Sequence, residues 1–374
     1  MSAGKKIWAT SWRVAVGGLL LVWIFHSIFV NEARELAKRG ELIDGGIKVV
    51  WTKEQAPPRI EQWRYGWNYG PPALWQTLRS VRLPALGLSF ALMGGTLLVG
   101  IARWRMVLRV QGLNLSFGRA AEISLVAHFF NSFLLGTAGG DVMKAYCAAR
   151  ETHHKKTEAV VTVFVDRVIG LWAMLVFATL MILPNWRLFQ QPGLRTAAAL
   201  VVAMTIAASG FIFLAFRGGV SKRWSGARHW LRRLPKADYI ERSLDSCRSF
   251  GRERGFVTRA FALSMLLNLL CVLQFYVIAR GLPGGDVPFL ALCLVVPTVI
   301  CISAVPIAPS GLGVRENLFV RLLAASAIGA SATSALSLSL LAYAGSLFWS
   351  LVGGVVYAMF KHQHHLGEKE LSDE

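Results

Sequence analysis

The chain has 374 residues, is 54% hydrophobic with a mean hydropathy of +0.48, and carries a formal charge of +19. Repeated apolar runs near the ~20 residues that cross a bilayer exclude a soluble globular protein and read as an all-α polytopic membrane protein. Basic residues on the cytoplasmic flanks of spans produce such a charge without nucleic acid, and five scattered cysteines without paired spacing give no disulfide framework, metal site or cofactor motif.

The first apolar run, Trp12 to Val30, is longer than a secretory leader's apolar core and has no small-residue cleavage site before Asn31, so it reads as a retained span. Lys5, Lys6 and Arg13 precede it, which puts the N-terminus in the cytoplasm and residues 31–82 outside. This outer insertion holds Trp51, Trp63, Tyr65, Trp67, Tyr69 and Trp75, rings that favour the headgroup zone, and part of it is expected to lie on the membrane surface. The second span, Leu83 to Ala102, meets Arg103-Trp104-Arg105 with Arg109 close behind, a cluster that marks a return to the cytoplasm.

Residues 119 to 135 carry Glu122, His128 and Asn131 in an apolar setting and run into a break at 134–141 that contains Gly136, Gly139 and Gly140. The helix that follows, 141 to 150, is only ~15 Å long and cannot cross. Arg150, Lys155 and Lys156 come straight after it, so 119–150 reads as a re-entrant hairpin that enters and leaves on the cytoplasmic side. Spans follow at 158–183 and 194–216, separated by an outer turn at Pro184. The loop from Arg217 to Arg259 then carries twelve Lys and Arg against four acids, with Trp224, Trp230 and Leu231 interleaved. It is the strongest orientation signal in the chain, and anionic phospholipid headgroups are its expected partner.

Residues 257 to 280 form the next span, 287 to 330 a second hairpin, and 334 to 360 the last span. The tail 362–374 is polar and expected to be disordered, and the histidines beside Lys361 are not read as a metal site. In the second hairpin Pro306, Pro309, Gly311 and Gly313 break any helix immediately before Arg315 and Glu316. Broken backbone at membrane depth needs protein or a wet cavity around it, and such breaks in corresponding places of two halves point to a transporter's site. The plan is therefore a single transmembrane domain, 1–361, with six spanning helices and two oppositely oriented re-entrant hairpins. It forms an inverted repeat with halves at about 1–186 and 187–361.

These residues resemble the membrane domain of the lysylphosphatidylglycerol synthase/flippase family. The resemblance runs from about Arg103 to the end of the last span. It is most specific at the Pro-rich, Gly-x-Gly-x-Arg-Glu pattern of Pro306, Pro309, Gly311, Gly313, Arg315 and Glu316, and at the pair Asp166-Arg167. The first hairpin departs from the family pattern, with Leu135-Gly136 for Pro-Gly and Asp141 and Lys144 for Glu and Arg, and the outer segment 31–82 is longer than the family's. The family's soluble aminoacyl-transferase domain has no counterpart after Lys361, so the resemblance implies a stand-alone flippase-like membrane protein.

Asp166 and Arg167 sit inside a span, where unpaired ions are expensive, and neighbours in sequence do not face each other on a helix. Lys144 is expected to pair with Asp166, and Arg167 with Asp141 or Glu316. Asp141, Lys144, Asp166, Arg167, Arg315 and Glu316 are then expected to line one polar cavity where the hairpin tips meet. Arg315 is the phosphate clamp, since its planar fork matches phosphate. The competing reading is that these charges only lock the tips together. His26 and His128 read as packed side chains rather than ligands.

The function expected is a flippase of the bacterial inner membrane, with both termini cytoplasmic. It would move an anionic or glycosylated lipid, polyprenyl-phosphate-linked lipids among them, between leaflets without a catalytic residue or cofactor. A membrane glycosyltransferase using a polyprenyl-phosphate sugar, or a scaffold for envelope-lipid or glycan biosynthesis enzymes, is the alternative.

Overall fold

The computed structural model describes residues 22, 25–26, 29–30, 33, 36–37, 42–44, 47–48, 58–133, 139–152, 155–182, 184, 192–217, 250, 253, 255–283, 286–303, 314–323, 328 and 330–359. Most of the first predicted span, the body of the basic loop, the polar tail, and the break residues Gly136, Pro306, Pro309, Gly311 and Gly313 lie outside them.

The long apolar runs fold as α2 (Leu83–Val110), α5 (Lys156–Ile182), α7 (Phe256–Gly281) and α10 (Ala332–Met359), four helices long and apolar enough to cross a membrane. Between α5 and α7 lies α6 (Pro192–Arg217), whose apolar segment is Ala198–Ile212. Ahead of them α1 (Arg59–Arg79) is a 21-residue helix that continues through Pro71 and Pro72. Further upstream, β1 (Ile43–Asp44) and β2 (Ile47–Lys48) form a two-residue antiparallel ladder, with Ile43 opposite Lys48.

Each predicted hairpin appears as two short helices. The first is α3 (Phe117–Phe133) and α4 (Gly139–Arg150), about 25 and 18 Å long. The second is α8 (Phe289–Ser303) and α9 (Val314–Leu323), about 22 and 15 Å. None of the four reaches the ~30 Å of a hydrocarbon core. In the first hairpin Arg119, near the start of α3, donates to Glu151, just past the end of α4, at 2.8 Å. Both open ends of that hairpin are thus held together.

Caps explain where these elements begin and end. Gly112 has φ +72°, its N–H bonds to the Arg109 carbonyl and that of Leu113 to the Leu108 carbonyl. This Schellman turn needs glycine's freedom at positive φ, and it stops α2 at Val110. The Ser116 hydroxyl accepts from the Arg119 N–H to start α3, and Ser331 does the same for Ser334 at the start of α10. From sequence the second span is expected to end at Ala102. The helix instead carries on through Arg103, because Met106, Val107 and Leu108 keep it apolar until the glycine arrives.

The chain divides into two compact units, each drawing on both ends of the sequence: Met1–Ala91 with Leu273–Gly345, and Leu92–Val272 with Ser346–Glu374. In the first, Phe29, Leu74 and Leu336 form a core, and Gly66 and Gly70 of α1 lie so close to Val30 and Phe29 that a Cβ at Gly70 would sit 2.4 Å from the Phe29 ring. The core of the second wraps its hairpin, with Trp104, Leu108, Ile123, Cys147 and Val163 drawn from α2, α3, α4 and α5.

Candidate functional site

In the second unit, the start of α4 is fixed by glycine. A Cβ on Gly140 would stand 2.1 Å from the Ala127 carbonyl oxygen, so only glycine lets α4 come this close to α3. Across that contact the Gly140 N–H donates to the Asn131 side-chain oxygen at 3.0 Å, a cap contributed by the other arm. Asp141, third in the helix, adds a carboxylate at its positive end. One face of α4 then presents Asp141 and Lys144 to α5.

Asp166 and Arg167 lie about 15 Å along α5. As expected for i and i+1, they take different partners. Asp166 Oδ1 accepts from Arg103 Nε at 2.8 Å, while Lys144 Nζ stands 3.8 Å from Oδ2 and 4.2 Å from the centre of the Trp104 ring. Arg103 Nη1 donates to Ser264 Oγ of α7 at 2.9 Å, and Trp104 Nε1 donates to Thr162 Oγ1 at 3.3 Å. Arg167 Nε stands 3.6 Å from Asp141 Oδ2, longer than a hydrogen bond. The two pairings expected from sequence, Lys144–Asp166 and Arg167–Asp141, are both present.

The cluster has two layers. Arg103, Asp166 and Lys144 side chains are 10, 11 and 12% exposed, whereas Arg167 and Asp141 are 39 and 31% exposed. In the inner layer Arg103 and Asp166 are hydrogen-bonded and Lys144 is enclosed between Asp166 and the Trp104 ring; the outer pair is loose and accessible. Three cations face two carboxylates, so the cluster holds one surplus positive charge.

Arg103 is the residue that sequence reasoning misses. Arg-Trp-Arg after an apolar run looks like a cytoplasmic flank, yet Arg103 and Trp104 are buried and serve the cluster. The signal available is the apolar sequence resuming after Arg105. Gly170, one turn beyond Asp166 on α5, makes the room: a Cβ there would meet both Arg103 terminal nitrogens at 3.0 Å.

In the first unit, α9 carries the other predicted ions. Glu316 is the third residue of its helix, as Asp141 is of α4, and it is fully buried. Arg315 Nε donates to Glu316 Oε1 at 3.0 Å and Nη2 donates to the same oxygen, so adjacent residues do pair here. Ser339 Oγ of α10 donates to that oxygen at 3.4 Å, and the Arg315 guanidinium lies over the Tyr343 ring at 4.5 Å. The sequence rule for neighbours fails here, with the Arg315 guanidinium held between the Glu316 carboxylate and the Tyr343 ring of α10.

The two histidines are packed side chains. His128 Nε2 lies 3.1 Å from the Ser346 carbonyl oxygen, and His26 Nδ1 accepts from Trp67 Nε1 at 3.1 Å. Among the described residues no cluster of three or more His, Cys, Asp or Glu could hold a metal ion.

A family model described as the lysylphosphatidylglycerol synthase TM region matches residues 63–353, which take in both hairpins and every ion named above. A protein of Methanothermobacter thermautotrophicus (strain Delta H) named UPF0104 membrane protein is 26% identical over 298 residues, covering 73% of this chain and 83% of the relative. The family match begins inside the segment 31–82 that sequence alone sets apart as an insertion, so most of α1 lies within the family region.

Proposed function

The chain belongs to the lysylphosphatidylglycerol synthase transmembrane-region family and is a multi-pass membrane protein, and on that premise we propose that it is a flippase that moves an anionic or glycosylated lipid between leaflets. The observation that carries this reading is the two-layered ion cluster, five charged side chains gathered where α4, α5 and α2 meet. Charges in the middle of an apolar helix are expensive and are retained where they handle polar cargo. The surplus positive charge and the accessible, loosely held Arg167 suit a phosphate, which replaces Asp141 as the partner of that guanidinium. Arg315 is the second phosphate ligand. Its fork is occupied by Glu316, so cargo binds there by exchanging with the carboxylate.

In this proposal six helices span, the two hairpins re-enter from opposite faces, and the halves form an inverted repeat. Rocking of one repeat against the other exposes Asp141, Lys144, Asp166, Arg167, Arg315 and Glu316 alternately to the two leaflets. The short arms of both hairpins and the Arg119–Glu151 staple support re-entrance. The membrane is the bacterial inner membrane with both termini cytoplasmic, and the basic loop rests on anionic headgroups near enzymes of envelope-lipid synthesis.

The test is leaflet exchange of fluorescent lipid in vesicles holding the purified chain. Wild type accelerates exchange of a phosphate-bearing lipid; Arg167→Gln abolishes it, and Arg167→Lys keeps part of it. No acceleration over protein-free vesicles for any anionic or glycosylated lipid sinks the proposal. A sugar-transfer product formed in those vesicles and lost in Asp141→Asn, with lipid still bound, moves the reading to a glycosyltransferase.

A further inference from the structure

The first unit holds a further feature, whose lining includes none of the ions discussed so far. The first turns of α2 and the last turns of α7 line an open cleft of about 760 Å³, within the volume range of small-ligand sites. Its lining includes the polar side chains Arg82, Arg280 and Tyr276 and the apolar Leu83, Leu88 and Val277. The base is fixed: the Arg82 N–H donates to the Gly281 carbonyl at 3.1 Å, and a Cβ on Gly281 would sit 2.7 Å from that of Ala85. Tyr276 is held edge-on to Phe289, ring centres 5.3 Å apart.

Both arginines are accessible to a ligand. Arg82 is exposed, and among the described residues Arg280 makes one exposed ion pair, 2.9 Å to Asp286, whose side chain is 90% exposed. Such a pair exchanges readily for another anion. Leu83 and Leu88 are 77 and 51% exposed on a helix apolar enough to cross a membrane, so acyl chains run against them. A cleft whose lining combines two accessible arginines with exposed leucines matches one chemistry, an amphiphile with a phosphate head. We propose that this cavity binds an anionic phospholipid, its phosphate between Arg82 and Arg280 and its chain along Leu83 and Leu88. The site requires no transport by the ion cluster, and its test stands or falls separately from the exchange assay.

The experiment places the full chain in phosphatidylcholine nanodiscs containing trace phosphatidylglycerol with a photoreactive head group. Labelled residues are read by mass spectrometry. Labelling is expected at 82–88 and 276–281, competed by unlabelled phosphatidylglycerol and not by inorganic phosphate. Removing each arginine lowers it about fivefold, the effect of one basic residue at a charged membrane surface. Arg82→Gln/Arg280→Gln therefore nearly abolishes it. Both positions are exposed, so folding is spared, and an unchanged melting profile confirms this. Leu88→Trp, which fills the apolar wall and leaves both charges, lowers labelling as well. The proposal is overturned if the double variant labels like wild type, if a phosphatidylcholine probe labels equally, or if inorganic phosphate competes as well as the lipid, which makes the cavity a soluble-anion site.

Discussion

The starts of α4 and α9 solve the same electrostatic problem in different ways. Each short helix bears a carboxylate as its third residue, Asp141 in one and Glu316 in the other, near an arginine. Asp141 remains 31% exposed and faces an arginine of another helix across 3.6 Å, whereas Glu316 is fully buried and bonded to its own neighbour. The first arrangement is open to competition by solvent or cargo. The second is closed, and the face of Tyr343 backs its arginine. Under the proposed function the two tips therefore play different parts. At α4 an incoming anion can enter at once, while at α9 the arginine must first release its carboxylate.

The two tips are expected to diverge most sharply at the inner layer beneath Asp141. Arg103→Ala strands Asp166 in a buried position with only a distant lysine, a loss of about 3–5 kcal/mol for such pairs. Thermal or denaturant unfolding in detergent should register it, and Arg103→Met/Lys144→Met/Asp166→Leu should recover most of it because that replacement leaves none of the three inner charges buried. If the single variant costs less than about 1 kcal/mol, the cost of an exposed pair, the inner layer does not hold the fold together.

Glu316→Gln comes next. Arg315 loses its carboxylate but keeps the Tyr343 ring, so the expected cost is smaller, about 2–3 kcal/mol. The double variant Arg315→Met/Glu316→Gln separates lock from clamp. It should be nearly as stable as wild type in both readings, yet it abolishes lipid exchange only if Arg315 binds cargo.

How much of this was legible in the sequence depended on whether the signal was local. Apolar length marks α2, α5, α7 and α10, and the ten residues before Arg150 betray a helix too short to cross. Lys144–Asp166 followed from charge sign and the rule that i and i+1 diverge, which left Arg167 with Asp141 or Glu316 as its partner; the structure pairs it with Asp141. Arg103 did not, because a basic cluster at the end of an apolar run carries the same residues whether it faces water or a buried carboxylate. Only the partner, 63 positions away, decides between them. α1 was hidden for another reason: its aromatic residues mark a membrane surface without fixing a conformation, and its contacts with Val30 and Phe29 through Gly66 and Gly70 are not local in sequence.

Gly140→Val tests whether the open tip depends on its hairpin. The added Cβ meets the Ala127 carbonyl, a backbone atom that cannot swing aside, so α4 must move away from α3. Overpacking of this kind costs about 1–3 kcal/mol. The Gly140 N–H also loses its bond to Asn131, and Asn131→Ala should remove that cap without the clash, at about 1 kcal/mol for the cap. Equal losses in the two variants would mean that the cap, and not the close approach, sets the position of α4.

The smallest effect asks whether the inner layer controls the outer one. In Gly170→Ala the new methyl sits 3.0 Å from both terminal nitrogens of Arg103, a side chain with room to yield by a few tenths of an ångström. Stability should fall by no more than about 1 kcal/mol. Arg103 shares Asp166 with Lys144, and Asp166 adjoins Arg167 in the chain, so a shifted guanidinium disturbs the geometry of the whole cluster. The double-mutant cycle with Arg103→Met decides the route. If Gly170→Ala acts through Arg103, its cost vanishes in the Arg103→Met background, giving a coupling of about 0.5–1 kcal/mol. If the costs simply add, the methyl acts on the packing of α5, and Gly170 owes its place to helix contact instead of to the arginine.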